Sequence, residues 1–285
     1  MATQFAQKRS ASTTSPEQAA GARNAVPGGS GIAAALLPDD ATSVARALDW
    51  FCQMQEADGS WSATRWGGEA RFQPALTALP LLALLSEDQP TPGQTAAMTR
   101  AAQSLRQGQA ENGSFGPAFF GASYNQSLAT LALLRAYERQ PEASAKPALD
   151  AALRVLLANQ NAGGGWGYLG SPQPHPAITL WSVEALQLAV ALGWDDLREP
   201  LRDGRRWLAA QTSLDPSTSA DYFRAYFLAR ALRRGSDTAS QQRLAALRDE
   251  LRRQQVGDGS WSPDDQWGRA GGRLYATALA SLSLQ

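Results

Sequence analysis

The chain has 285 residues, 44% of them hydrophobic and 18% charged, enough to build one large core without a staple. Lys and Arg together number 26, as do Asp and Glu, so no basic field is available to neutralise phosphates and nucleic acid is excluded as an expected partner. The single cysteine, Cys52, rules out an internal disulfide, and with one histidine, His175, a zinc site of Cys and His ligands cannot be assembled. No metal and no cofactor is expected.

Residues 1–31 are rich in Ser, Thr, Ala, Gly and Gln and hold almost no large apolar side chain after Phe5. Such a composition buries too little to offset its ordering entropy, so residues 1–41 are predicted to form a disordered low-complexity tail. This stretch lacks the apolar centre of a signal peptide, and no apolar run in the chain reaches the roughly 18 residues of a membrane helix. The expectation is a cytoplasmic protein without a membrane span. Asp39, Asp40 and Thr42 are available to cap the first helix.

From residue 42 to 285 two kinds of helix alternate. Segments 43–55, 95–109, 146–160, 196–211 and 239–255 carry charges on one face. In the third, Leu149, Leu153, Leu156 and Leu157 fall at helical spacing while Lys146, Asp150 and Arg154 fall opposite, the pattern of a half-buried helix. Segments 75–85, 125–134, 178–192 and 274–284 are nearly free of charge and must be covered all round. The first kind reads as outer helices and the second as inner ones. Pro80 is expected to kink or split the first inner helix.

A short motif separates each outer helix from the inner helix that follows. Gln55 is followed six residues on by Trp61 through Asp58-Gly59-Ser60, and Gln255 by Trp261 through Asp258-Gly259-Ser260. Gln109 with Phe115 and Gln160 with Trp166 repeat the spacing. The glycine permits the left-handed conformation that ends a helix, the glutamine amide can bond the turn, and the indole can stack over it. These eight residues are therefore read as a structural clamp. The fourth copy has decayed: Gln211 lacks a following Gly and Trp, and its inner helix, 221–232, carries Arg224 and Arg230. Self-similarity at a period near 50 residues implies one hairpin copied and stacked. About five outer-inner hairpins form either an open superhelix or a closed ring. The apolar end of the chain, 276–284, is no capping face and favours closure, with room for a gap where a sixth pair would sit.

The run of Gln, Gly-Ser-Trp and the following Tyr275-Ala276-Thr277-Ala278-Leu279-Ala280 resembles the repeat of the squalene cyclase and protein prenyltransferase superfamily over about residues 43–285. The resemblance implies an all-α fold, the α/α toroid, and a polyprenyl or triterpene ligand. Triterpene cyclases similar to this repeat protonate an alkene with Asp-x-Asp-Asp. Here Asp39-Asp40, Asp195-Asp196 and Asp264-Asp265 all lack the earlier aspartate. The Asp, Cys and His set of the prenyltransferases is not matched by Cys52 and His175, and the Cys-Gly-Glu-Gln of the thioester toroids is missing.

In a closed ring the turns after each motif surround one mouth, toward which the inner helices point their N-termini. Two of these turns, 65–72 and 266–274, are alike, and Arg71 and Arg273 in them are candidates to hold an anionic group, or to pair with Glu69 or Asp265. Trp66, Trp267, Phe120, Tyr124 and Tyr168 are candidates to line an apolar pocket, as are Tyr222 and Tyr275. His175 lies on a proline-rich loop beside Tyr168. For proton chemistry the candidates are Glu184, the one acid inside an apolar inner helix, and Asp264 and Asp265; for Glu184 a hydrogen bond to a nearby Ser or Trp is the alternative fate.

The sequence thus points to a non-catalytic toroid that binds an apolar, isoprenoid or anionic small ligand, or a protein, at its central mouth. One alternative is a diverged terpenoid cyclase, or a fragment of one, using a non-standard acid; it requires a deep aromatic cavity with a carboxyl at its end. The other is a glycan-binding or glycan-acting toroid, whose hydrolase form requires two facing acids.

Overall fold

A computed structural model describes residues 39–211 and 221–285. The tail expected over 1–41 lies outside the described residues as far as 38. The first helix starts inside the stretch assigned to that tail, because the Asp39 carboxylate accepts the Thr42 N–H at 2.7 Å and caps a helix beginning at Asp40.

Ten α-helices follow in chain order and no strand occurs among the described residues. The outer helices are α1 (Asp40–Met54), α3 (Pro92–Gln107), α5 (Lys146–Ala158), α7 (Arg198–Ala209) and α9 (Thr238–Gln254). The inner ones are α2 (Gln73–Leu85), α4 (Ala122–Arg139), α6 (Pro176–Ala191), α8 (Tyr222–Arg234) and α10 (Gly268–Leu284). Local chemistry sets their starts. Thr91 and Gln94 form a reciprocal capping box on α3, and prolines occupy the first turn of α2, α5 and α6, where a missing N–H costs nothing.

Two inner helices depart from expectation. α2 runs unbroken through the buried Pro80, with every residue from Ala75 to Leu84 out of solvent. α10 begins six residues before the expected start and bends at Gly272, whose φ of 59° is open to glycine. At that bend a Cβ would strike the carbonyl of Trp66. The Arg273 N–H donates to that carbonyl at 2.8 Å, and Gly68 and Gly271 form an antiparallel bridge. The two similar turns therefore pair with each other.

Each outer helix packs chiefly on the inner helix before it: α3 on α2, α5 on α4, α7 on α6 and α9 on α8. α1 completes the cycle by packing on α10, and α10 in turn packs on α2. The array is a closed α/α toroid of five hairpins.

The repeated motif supplies the joints. Gln55 Nε2 donates to the Gly59 carbonyl of its own turn and to the Ala97 carbonyl of the next outer helix, both at 2.9 Å. Gln109 bonds Gly113 and Ala148 in the same way, and Gln160 bonds Gly164 and Pro200. Gln255 bonds Gly259 at 2.9 Å and, across the ends of the described chain, Ser43 at 2.8 Å. The indole N–H of Trp61, Trp166 and Trp261 returns to a carbonyl ten residues earlier in its own outer helix. Gly59, Gly113, Gly164 and Gly259 all have φ between 85° and 94°, and a Cβ on any of them would run into the backbone of the next outer helix. Among the described residues Gln211 makes no such joint, and its amide donates to Trp207 in its own helix.

Of the neighbouring inner helices α6 and α8 approach each other least closely, and side chains bridge the space between them. Trp181 stacks on Tyr226 at 5.1 Å and meets Phe227 edge-on at 5.2 Å, while Glu184 pairs with Arg230 at 2.9 Å.

Chemical denaturation checks the joints. Gln255→Ala removes the bond that joins α9's turn to the Ser43 carbonyl and the one that holds the buried Gly259 carbonyl, and is expected to cost about 1–3 kcal/mol, as is Gly259→Ala by backbone strain and collision with Arg46. Gln211→Ala is expected to cost less than about 0.5 kcal/mol.

Candidate functional site

The five inner helices enclose a cavity of about 930 Å³. The loops that precede α4, α6 and α10 ring its mouth with aromatic residues, because each loop must cross the ring's end between motif and inner helix. Phe120, 62% exposed, stacks on Tyr168 at 4.2 Å. Tyr124 stands edge-on to Tyr168 at 6.0 Å, and His175 lies 5.1 Å from Tyr168. Next to Phe120 in the same loop, Phe119 meets Phe72 edge-on at 5.0 Å, and the Arg71 guanidinium sits over both rings. Below the mouth the lining is apolar, from Leu76, Leu79 and Leu128 to Leu180, Trp181 and Phe227.

Three carboxylates reach this lining, and each is held. Glu69 pairs with Arg71 at 2.5 Å. Asp221, 8% exposed, caps α8 by accepting the Arg224 N–H at 2.7 Å and also accepts the Gln266 amide at 2.8 Å. Glu184 lies further down, against Arg230 and not against a neighbouring Ser or Trp. Burial pushes the Glu184 carboxyl above its usual range, with Arg230 pulling the other way. Arg230 also meets the Tyr226 hydroxyl at 2.7 Å, and burial followed by the charge of Glu184 lifts that phenol to about 12.

At the mouth, burial raises the Tyr124 phenol and lowers the His175 imidazole. The His175 backbone is fixed by its N–H bond to the Trp166 carbonyl at 2.7 Å, yet Nδ1 is buried with no hydrogen-bond partner.

The candidate residues divide accordingly. Arg71, Phe120, Tyr124, Tyr168, His175, Glu184, Trp267 and Tyr275 line one cavity. Trp66, Tyr222, Asp264, Asp265 and Arg273 lie outside its lining. Arg273 is turned away by the bend at Gly272: it pairs with Asp258 at 2.7 Å, not with Asp265, and covers the rings of Trp50 and Trp66. Asp265 accepts the Tyr222 N–H, the Trp267 N–H and the Tyr275 hydroxyl, which makes it a brace behind the wall. Burial and this carboxylate raise the Tyr222 phenol to about 12 and push that of Tyr275 higher still. Asp264 is exposed.

Sequence reasoning passed over Asp221, Phe223, Phe227 and the arginines Arg205, Arg230 and Arg234 as site residues, all of which reach the lining. The available signal was the break in the fourth repeat, where charges enter an inner helix that the other repeats keep apolar. Among the described residues no group of His, Cys, Asp and Glu is arranged to hold a metal ion, and no helix is long and apolar enough to cross a membrane.

A closed toroid of paired helices around an aromatic cavity defines a terpenoid-cyclase-like fold. No protein-family model and no curated protein matches the sequence. Among solved structures, the chain is similar to the type II terpene cyclase MstE from Scytonema. A variant in complex with its substrate, geranylgeranyl dihydroxybenzoate, aligns with a TM-score of 0.56 at 15% identity, over 86% of this chain and 96% of that one. A second variant, in complex with the product merosterolic acid A, aligns with a TM-score of 0.54 at 14% identity over the same shares. Identity this low speaks for the fold alone.

The lone histidine makes the mouth accessible to titration. Its imidazole NMR signal is expected to titrate below 6.5, the ordinary value. A lowered native pKa means the unfolded chain binds the proton more tightly, so stability is full above 6.5 and declines as pH falls through the native value. His175→Gln should remove that decline.

Proposed function

We propose that the protein is a binding barrel that encloses an apolar, isoprenoid-type ligand in its central cavity and does not protonate it. The observation that carries this reading is a 930 Å³ cavity walled by aromatic and aliphatic side chains, in which every carboxylate already has a partner. The volume lies within the range of small-molecule pockets, and the aromatic rim suits a ligand with little polarity. Alkene protonation asks for a carboxyl that is both neutral and free to donate. Glu69 and Glu184 face guanidinium groups, and both Asp221 oxygens are occupied, one by the Arg224 N–H and the other by the Gln266 amide. The bound isoprenoids of the MstE structures are consistent with this choice of ligand class.

A second reading is favoured by one feature. Asp221 is the buried acid next to the aromatic mouth, and a cyclase using a non-standard acid would place it there.

Native mass spectrometry with a C20 prenyl alcohol separates the two. The expected result is a one-to-one complex from which the alcohol is recovered unchanged. Leu180→Trp, which fills the cavity from a half-buried position, should weaken binding at least about tenfold. Absence of binding would overturn the proposal. Conversion of the alcohol to a cyclised product, lost in Asp221→Asn, would replace it with the cyclase reading; asparagine is an equally good helix cap, so that variant keeps its fold.

A further inference from the structure

The cavity is not symmetric about the ring axis. On α2 and α4 its lining ends about two turns down, at Leu79 and Leu128, and on α10 about two turns past the bend at Gly272, at Leu279. On α6 and α8 it continues to Gln187 and Arg234, and Arg234 lies about 20 Å below Asp221 at 1.5 Å of rise per residue. It then takes in Arg205 and Leu208 of α7, an outer helix. The other outer helices contribute nothing to the lining. The cavity thus slants away from the ring axis along the seam where α6 and α8 approach least closely, and Gln187, Arg205 and Arg234 at its lower end are all exposed.

That lower end is cationic in a chain with no net charge. Five arginines line the cavity against three carboxylates. Arg71 has Glu69, Arg224 has Asp221 at 3.8 Å and Arg230 has Glu184. The two left over, Arg205 and Arg234, pair with no carboxylate among the described residues, and both stand at the seam. Arg205 reaches across from α7 to donate to the Gln187 side-chain carbonyl at 3.0 Å, which aims its guanidinium at the opening. Arg234 complements the C-terminal end of the α8 dipole, but Arg205 stands in the body of α7 and has no such role.

We propose that this seam holds the anionic head of the ligand, a carboxylate or phosphate monoester carried on the isoprenoid chain, through Arg205 and Arg234. The proposal rests on the binding reading above and specifies its ligand as amphipathic: an apolar body among the aromatics and a charged end at the seam. Guanidinium forks suit carboxylate and phosphate oxygens alike, so the shared chemistry is a planar or tetrahedral oxyanion.

Three probes test it by titration: a C20 prenyl alcohol, its monophosphate and the matching C20 carboxylic acid. The wild-type protein should bind at least one of the anions about tenfold more tightly than the alcohol, and the better of the two names the head group. The combined variant Arg205→Ala with Arg234→Ala should lose that preference while binding the alcohol as before. Both positions are exposed, so melting temperature should fall by no more than the few degrees that loss of one helix-end charge and one exposed hydrogen bond implies. Arg202→Ala, an exposed charge on α7 outside the lining, should keep the preference and so exclude a net-charge effect. Equal binding of all three probes, or a preference that survives the double variant, overturns the seam site and leaves the binding barrel standing. Failure of every probe to bind overturns both.

Discussion

Two hydrogens on one amide nitrogen organise this molecule. In four of the five repeats a glutamine Nε2 gives one hydrogen to the turn that ends its own outer helix and the other to a carbonyl in the next outer helix. The bond is local on one side and crosses to the neighbouring hairpin on the other. The tryptophan does different work: its N–H returns to its own helix, so the indole fixes a turn within a hairpin and the glutamine fixes one hairpin to the next. The glycine is required by the closeness of that join, since the next helix's backbone occupies the place of a Cβ. Repetition of a joint between neighbours produces either a spiral or a ring, and the bond from Gln255 to Ser43 makes it a ring.

The same joint bears on where the cavity lies. Among the described residues four joints are made and none links α7 to α9, where Gln211 stands. In the same part of the ring large side chains fill the distance between α6 and α8: Trp181, Tyr226 and Phe227, with the Glu184–Arg230 pair below them. These groups do not close the gap completely, and the cavity extends along it. The repeat that is least regular as structure is therefore the one that shapes the site.

Much of the architecture was legible because it rests on local, repeated signals. The glutamine-to-aromatic spacing marks each turn, and the contrast between charged and uncharged helices separates the two layers. The site was only partly legible, since lining a cavity depends on which face each of several distant helices turns inward. Arg71 and Arg273 looked equivalent by position, but the bend at Gly272 rotates Arg273 onto Trp50 and Trp66 while Arg71 stays over the mouth. Asp265 looked available as an acid until three donors were found around it. The arginines of the fourth repeat read as decay because the rule they broke was a packing rule, and the packing they answer to is the wider spacing of α6 and α8, which side chains must bridge. Pro80 was misjudged for a related reason. A helix enclosed by neighbours on all sides holds its course through a proline that would break an isolated one.

The electrostatics of the cavity bear on whether its acids are free to give up a proton. Burial alone drives Glu184 toward its neutral, proton-donating form; the guanidinium of Arg230 at 2.9 Å opposes it. Each retained carboxylate is matched in this way to a cation or to N–H donors, so the negative charges in the wall are neutralised where they stand. The positive charge that remains is displaced to the seam. A wall of this kind is apolar along its length and carries its unpaired cations at one end, and it is this division that the proposed amphipathic ligand is drawn to match.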